Sequence, residues 1–242
     1  MPLSNLSESN DIQGEKDVLG GGRLDSATYD MTLNTTYLDQ SKHGATSVNI
    51  EATSSDGRKF KHTLWVTNRK GENFFEGQNG KQYLPGFNIA NAIALLGGGY
   101  PISEMETETK SIKVYDFEKS AEVLKDKEVI TALDGVQVKL GILKVIEDKN
   151  ADDGTGTWVP TGETREVNDI DKVFDIETGM TVAEIRTGAE EPEFLTKWQD
   201  KWNGQTKNKA KGAKKGGAAS FGAPAQAAGK PAASSLFANR KK

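Results

Sequence analysis

The chain has no cysteine, which excludes a disulfide framework, a thiolate zinc site and a cysteine nucleophile. That absence fits a reducing cytoplasm. Histidine is nearly absent too: His43 and His62 are the only two, and neither stands beside an obvious carboxylate or nucleophile partner. HExxH, GxSxG and the phosphate-loop pattern GxxxxGK[ST] do not occur, and Gly20-Gly21-Gly22 reads as a flexible turn. Long apolar runs are missing. The longest, 89–96, contains Asn91 and is far too short to cross a bilayer. Met1 to Glu15 lacks the basic-then-apolar order of a signal peptide. Aromatic residues make up only 7% of a composition that is globular but polar. No catalytic constellation, cofactor loop or metal-ligand set emerges, so the chain reads as a non-enzyme. Its many acids leave a two-carboxylate or magnesium site open.

What is present is a charge split. The formal net charge is -4, yet residues 203–242 carry nine Lys/Arg and no Asp or Glu. The remainder carries 22 Lys/Arg against 35 Asp/Glu, or -13. An acidic body with a basic arm points to a polyanionic partner. It also means that the body cannot bind DNA by bulk charge, so a site there has to be a local groove.

The 242 residues divide into a flexible lead-in (1–16), a β-rich domain (17–202) and a basic tail (203–242) without periodic apolar pattern, expected to be disordered. Within the tail, Leu236 and Phe237 followed by Arg240, Lys241 and Lys242 have the texture of a docking peptide; the untidy end of a linker has it too. In the domain, apolar residues alternate over 28–38 and 46–53, and Asp56-Gly57 supplies a hairpin turn into a third strand. A short ribbon around Gly77 and Asn79-Gly80 precedes a helix over 89–96, capped by Asn88 and ended by Gly97-Gly98-Gly99. Strands follow over 110–117, 123–133 and 136–146, with a bulge at Gly141.

Residues 148–157 read as a solvated loop. Asp148, Asn150 and Asp152 have EF-hand spacing, but Asp153 replaces the required Gly and Val159 the bidentate Glu. Trp158–Val167 returns as a strand, and 169–175 covers one end of the core. A helix over 190–202 sets Phe194, Trp198 and Trp202 in a stripe, which such spacing assigns to core packing.

The third strand organises the chain. Phe60, Leu64 and Val66 fall on one face, with Lys59, Lys61, Thr63 and Trp65 on the other. Arg69, Lys70, Phe74, Phe75 and Tyr83 follow within eighteen residues of Trp65. Cations interleaved with aromatics suit a single-stranded nucleic acid, because bases stack on rings while Lys and Arg track phosphates. An amphipathic strand with a solvated Lys face and a locally packed Trp is the plainer reading of the same pattern.

The run from Leu64 to Phe74 (LWVTNRKGENF), followed by Leu84-Pro85-Gly86-Phe87, resembles the single-stranded DNA-binding proteins of lytic tailed bacteriophages, in particular podoviruses that carry a virion RNA polymerase. Supporting stretches are 138–143, 161–165 with 169–174, and 206–212, so the resemblance spans 29–212. It implies an OB-like antiparallel barrel with one or two helices. It further implies non-catalytic, largely sequence-independent binding of single strands during early phage DNA replication and recombination, in the cytoplasm of the infected host, with no cofactor and no membrane. Lys59, Lys61, Arg69 and Lys70 are then the phosphate contacts, and Trp65, Phe74, Phe75 and Tyr83 the stacking platforms, at least one of the Phe pair being core. Many replication proteins of this kind end in an acidic tail, whereas this chain ends in Arg240-Lys241-Lys242, which excludes an acidic-tail switch. A basic tail suits direct DNA contact, or docking on a host or phage RNA polymerase or replisome protein. The alternative is thus an interaction protein whose tail recruits such a partner.

Overall fold

Alternation of apolar and polar side chains builds the first three strands, β1 (Ala27–Gln40), β2 (Thr46–Ser54) and β3 (Lys59–Trp65), into an antiparallel meander. Met31 and Leu33, then Val48, Ile50 and Ala52, then Phe60 and Leu64 turn to one side and are buried. The β2–β3 turn is made by Asp56-Gly57 as expected, with Gly57 at φ +84°, a conformation that favours glycine. The computed structural model describes residues 22–78, 80–116, 119–152, 154 and 158–211. The expected flexible N-terminus and the docking residues Leu236, Phe237, Arg240, Lys241 and Lys242 lie outside these.

A separate ribbon follows, β4 (Phe74–Gly77) paired with β5 (Gly80–Tyr83). The next helix, α1 (Pro85–Ile93), starts four residues before the expected 89. Pro85 opens it, since its fixed φ suits a first helical position, and Asn88 lies inside the helix instead of capping it. A π-helical turn (Ala94–Gly98) continues the helix, and Gly99 ends it in the left-handed conformation. Ala90 and Ile93 on α1 are buried.

β6 (Glu108–Asp116) and β7 (Ala121–Val129) form a hairpin joined to β1 where Tyr37 faces Val129. β8 (Gln137–Asp152) pairs with β1 through 137–142 and with β9 (Trp158–Phe174) along most of its length. The β8–β9 register shifts between Gly141 and Ile142, where the bulge was expected. Gly141 is small for a second reason: a Cβ there would lie 3.0 Å from the Trp198 ring.

Two expectations fail here. Residues 148–152 are strand, not loop, and 169–174 belong to β9, not to a cap over the core. In the arm from Lys149 to Glu166 every described residue is exposed, so no inward-outward alternation marks it in the sequence.

α2 (Val182–Thr187) opens with a reciprocal capping box between Thr181 and Glu184. α3 (Glu193–Trp202) carries the aromatic stripe. Trp198 packs with Leu143, Val145 and Phe174 in a second small core, and its Nε1 donates to Asp171 Oδ2 at 2.8 Å. Phe194 remains 37% exposed, so the stripe is only partly buried. β10 (Thr206–Asn208) adds to β8 in parallel. The folded body thus continues past Trp202, where the tail was expected to begin.

The fold is mainly β and antiparallel, as expected, and the described residues hold three α-helices where one or two were expected. Five strands run in the order β3-β2-β1-β8-β9. The outer two, β3 and β9, approach at His62 and Asp169, 3.7 Å apart. No ladder hydrogen bonds join them among the described residues, so the expected barrel is a curled sheet left open at that seam. No helix among the described residues is long and apolar enough to cross a membrane.

Candidate nucleic-acid interface

The two-residue period of β3 places its side chains as the sequence requires. Phe60, Leu64 and Val66 are buried, while Lys59, Lys61, Thr63 and Trp65 face outward. Trp65 is 48% exposed. It stands opposite Ser47 on β2, and Thr63 stands opposite Asn49. Thr63 Oγ1 donates to Asn49 Oδ1 at 2.7 Å, and Asn49 Nδ2 donates to Ser47 Oγ at 3.2 Å, so the floor beside the ring is a fixed polar row.

The cations differ. Lys61 lies between two carboxylates, 2.7 Å from Glu51 and 3.8 Å from Glu122 of β7. Both are partly or largely solvent-exposed, so this pairing is weak, but a phosphate would have to compete with it. Lys59, Arg69 and Lys70 are exposed and have no carboxylate within 4 Å among the described residues.

Arg69 and Lys70 sit on a loop organised by Asn68. Its Oδ1 accepts from the N–H groups of Lys70 (2.8 Å) and Glu72 (3.0 Å), and its Nδ2 donates to Glu72 (2.9 Å). Gly71 takes φ +80° to close the turn. The loop is tied to the β1–β2 turn: Thr67 N–H donates to Thr46 O at 3.2 Å and Thr46 N–H to Thr67 Oγ1 at 2.8 Å.

In the ribbon, strand alternation separates the two phenylalanines. Phe74 faces Tyr83 across the pair, while Phe75 faces Gln82 and projects from the opposite side. Phe74 is half-buried: Lys81 Nζ lies 4.2 Å above its ring and Tyr83 meets it edge-on at 6.4 Å. Tyr83 also stacks on Phe87 of α1 at 5.6 Å and keeps 51% exposure, while Phe75 is 46% exposed. Neither Phe is core, contrary to expectation. The predicted set therefore falls into three groups. Lys59, Lys61 and Trp65 share the outward face of β3, Arg69 and Lys70 the loop, and Phe74 with Tyr83 one face of the ribbon, with Phe75 alone behind.

Backbone contact locks α1 to this site. A Cβ on Gly86 would collide with the backbone nitrogen and carbonyl oxygen of Trp65. Sequence reasoning missed Lys81 and Phe87. Lys81 lies two register positions from the Phe74–Tyr83 pair, hence on their face, and was legible once the ribbon turn was fixed. Phe87 joins through α1, whose early start hid it. Trp158, 69% exposed on the β8–β9 arm, was also missed as an aromatic surface.

No protein-family model matches the sequence, and no curated protein matches it significantly.

Proposed function

We propose that the protein binds single-stranded DNA without catalysis and with little sequence preference, in the replication and recombination of a bacteriophage. The observation that supports this most is local. Trp65 (48% exposed) and Tyr83 (51% exposed) flank, in sequence, a loop whose Arg69 and Lys70 have no carboxylate partner among the described residues, in a chain whose first 202 residues have 13 more acids than bases. Rings offer stacking surfaces that every base has, and the loop cations supply phosphate contacts that bulk charge cannot. Lys59 extends the cationic path along β3, and Lys61 joins it when a phosphate displaces both Glu51 and Glu122. Phe75 serves a strand that wraps the ribbon; Phe74 supports Tyr83 and Lys81. The resemblance of 64–74 and 84–87 to phage single-strand binders agrees with the same surface.

Labelled oligo(dT) and a duplex of equal length, each titrated over a salt series, test this reading. Expected are tight single-strand binding, weak duplex binding and a log–log salt slope of about -0.7 per phosphate neutralised. Equal and steeply salt-sensitive binding to both would leave only the basic tail as the binding element.

A further inference from the structure

β8 is paired on both sides for only part of its length. On one side β1 covers 137–142 and β10 covers 144–146. From Glu147 to Asp152 that same side has no strand against it among the described residues, while β9 occupies the other. An open edge of this kind is a template for another extended segment.

The direction of β10 shows which segment reaches it. β10 runs parallel to β8, with Thr206 opposite Lys144 and Asn208 opposite Ile146. Beyond it the chain keeps to the same edge: Lys209 N–H donates to Ile146 O at 2.8 Å, and Lys211 N–H donates to Asp148 Oδ2 at 2.9 Å. Lys209 Nζ is anchored to Asp169 at 2.6 Å. The last described residues thus point along the unpaired stretch.

Charge favours continuation. The described arm residues 147–152 and 158–166 contain five carboxylates and two cations, and both cations are already paired, Lys149 with Glu163 at 2.9 Å and Arg165 with Glu147 at 2.8 Å. The segment after Lys211 carries Lys214, Lys215, Lys230, Arg240, Lys241 and Lys242 and no acid.

We propose that this segment of the chain docks along the open β8 edge of its own arm, extending β10. The inference does not depend on the single-strand reading. Its consequence is that part of the basic tail is held against the acidic body instead of being offered to every polyanion.

The absence of native cysteine makes disulfide trapping in the full-length chain a clean test. Extending the β10–β8 register sets Ala213 beside Asn150 and Ala151, within the span a disulfide accepts. Ala213→Cys is combined in turn with Asn150→Cys, with Ala151→Cys and, as a control, with Thr164→Cys on β9, one strand further away. All the arm positions are exposed, so folding is not at stake. Expected is intramolecular trapping of one of the β8 pairs about tenfold faster than the control, reflecting its higher effective concentration. Added salt, or Asp148→Lys with Asp152→Lys, should remove the advantage. Equal rates for β8 and control pairs, or products that are mainly dimers between chains, would overturn the proposal.

Discussion

Two of the fold's ribbons contrast, each with an exposed aromatic ring: Tyr83 on β4–β5 at 51% and Trp158 on β8–β9 at 69%. Ring exposure alone would rank the second ribbon first. Their surroundings reverse that order. Tyr83 is braced by Phe87 and Phe74, with Lys81 over the latter ring and Arg69 and Lys70 on the preceding loop. Trp158 belongs to an arm whose described charges are mostly carboxylates. A base needs a ring and its phosphate needs a cation, so the proposed binding favours the first ribbon over the second. In an acidic protein, a nucleic-acid site is found where local charge departs from the whole.

The largest expected effect tests the bracing. Gly86→Ala forces a methyl group against the Trp65 backbone and should cost about 3 kcal/mol of stability by overpacking, measured by urea unfolding. An unchanged unfolding midpoint would mean that α1 does not hold the β3 end in place. Next comes the cationic loop. Arg69→Glu with Lys70→Glu should weaken oligo(dT) binding and flatten the log–log salt slope by about 1.4, two phosphates' worth, with the unfolding curve unmoved. In the acidic arm, Glu163→Gln with Glu166→Gln should leave that affinity unchanged or raise it slightly, by easing repulsion. A clear loss on this pair would reverse the ranking of the two ribbons.

The smallest effect concerns the open seam. Burial lowers the pKa of His62; Asp169 raises it in part, and Lys209 adds to the lowering. The unfolded chain therefore binds a proton more readily than the folded one. Stability from this group is fully present above the ordinary histidine value of about 6.5, and is lost progressively as pH falls from there toward the folded value. Thermal unfolding between pH 8 and pH 5 should show this loss, and His62→Gln should reduce it.

Much of the fold follows from residue order because it is written in burial. β3 alternates since one face meets the core and the other meets water, and the same alternation places Trp65 and Lys59 outward. The Asp56-Gly57 turn and the Gly141 bulge are local backbone demands, and they are legible for that reason. The failures share a cause. Residues 149–152 are strand with neither face buried, so their pattern is that of a loop, although the return strand from Trp158 was expected. β10 is a strand because β8 has an edge to offer, a fact about a residue stretch 62 positions away. The site was legible as composition, not as geometry. Phe74 and Phe75 are neighbours in sequence but oppose each other across the ribbon, and Lys61 is matched by Glu51 only because β2 pairs with β3 in that register.

The central claim is that a single strand is held on the β3 and β4–β5 side by stacking on rings backed by cations. It is tested most directly by oligo(dT) binding of Trp65→Ala and Trp158→Ala side by side, with each variant's unfolding curve as the control for folding. Trp65→Ala should lose about 1–3 kcal/mol of affinity, the worth of one base–ring stack, while Trp158→Ala stays at the level of the unchanged protein. Full affinity for a folded Trp65→Ala together with loss for Trp158→Ala would contradict the account and move the interface to the acidic arm.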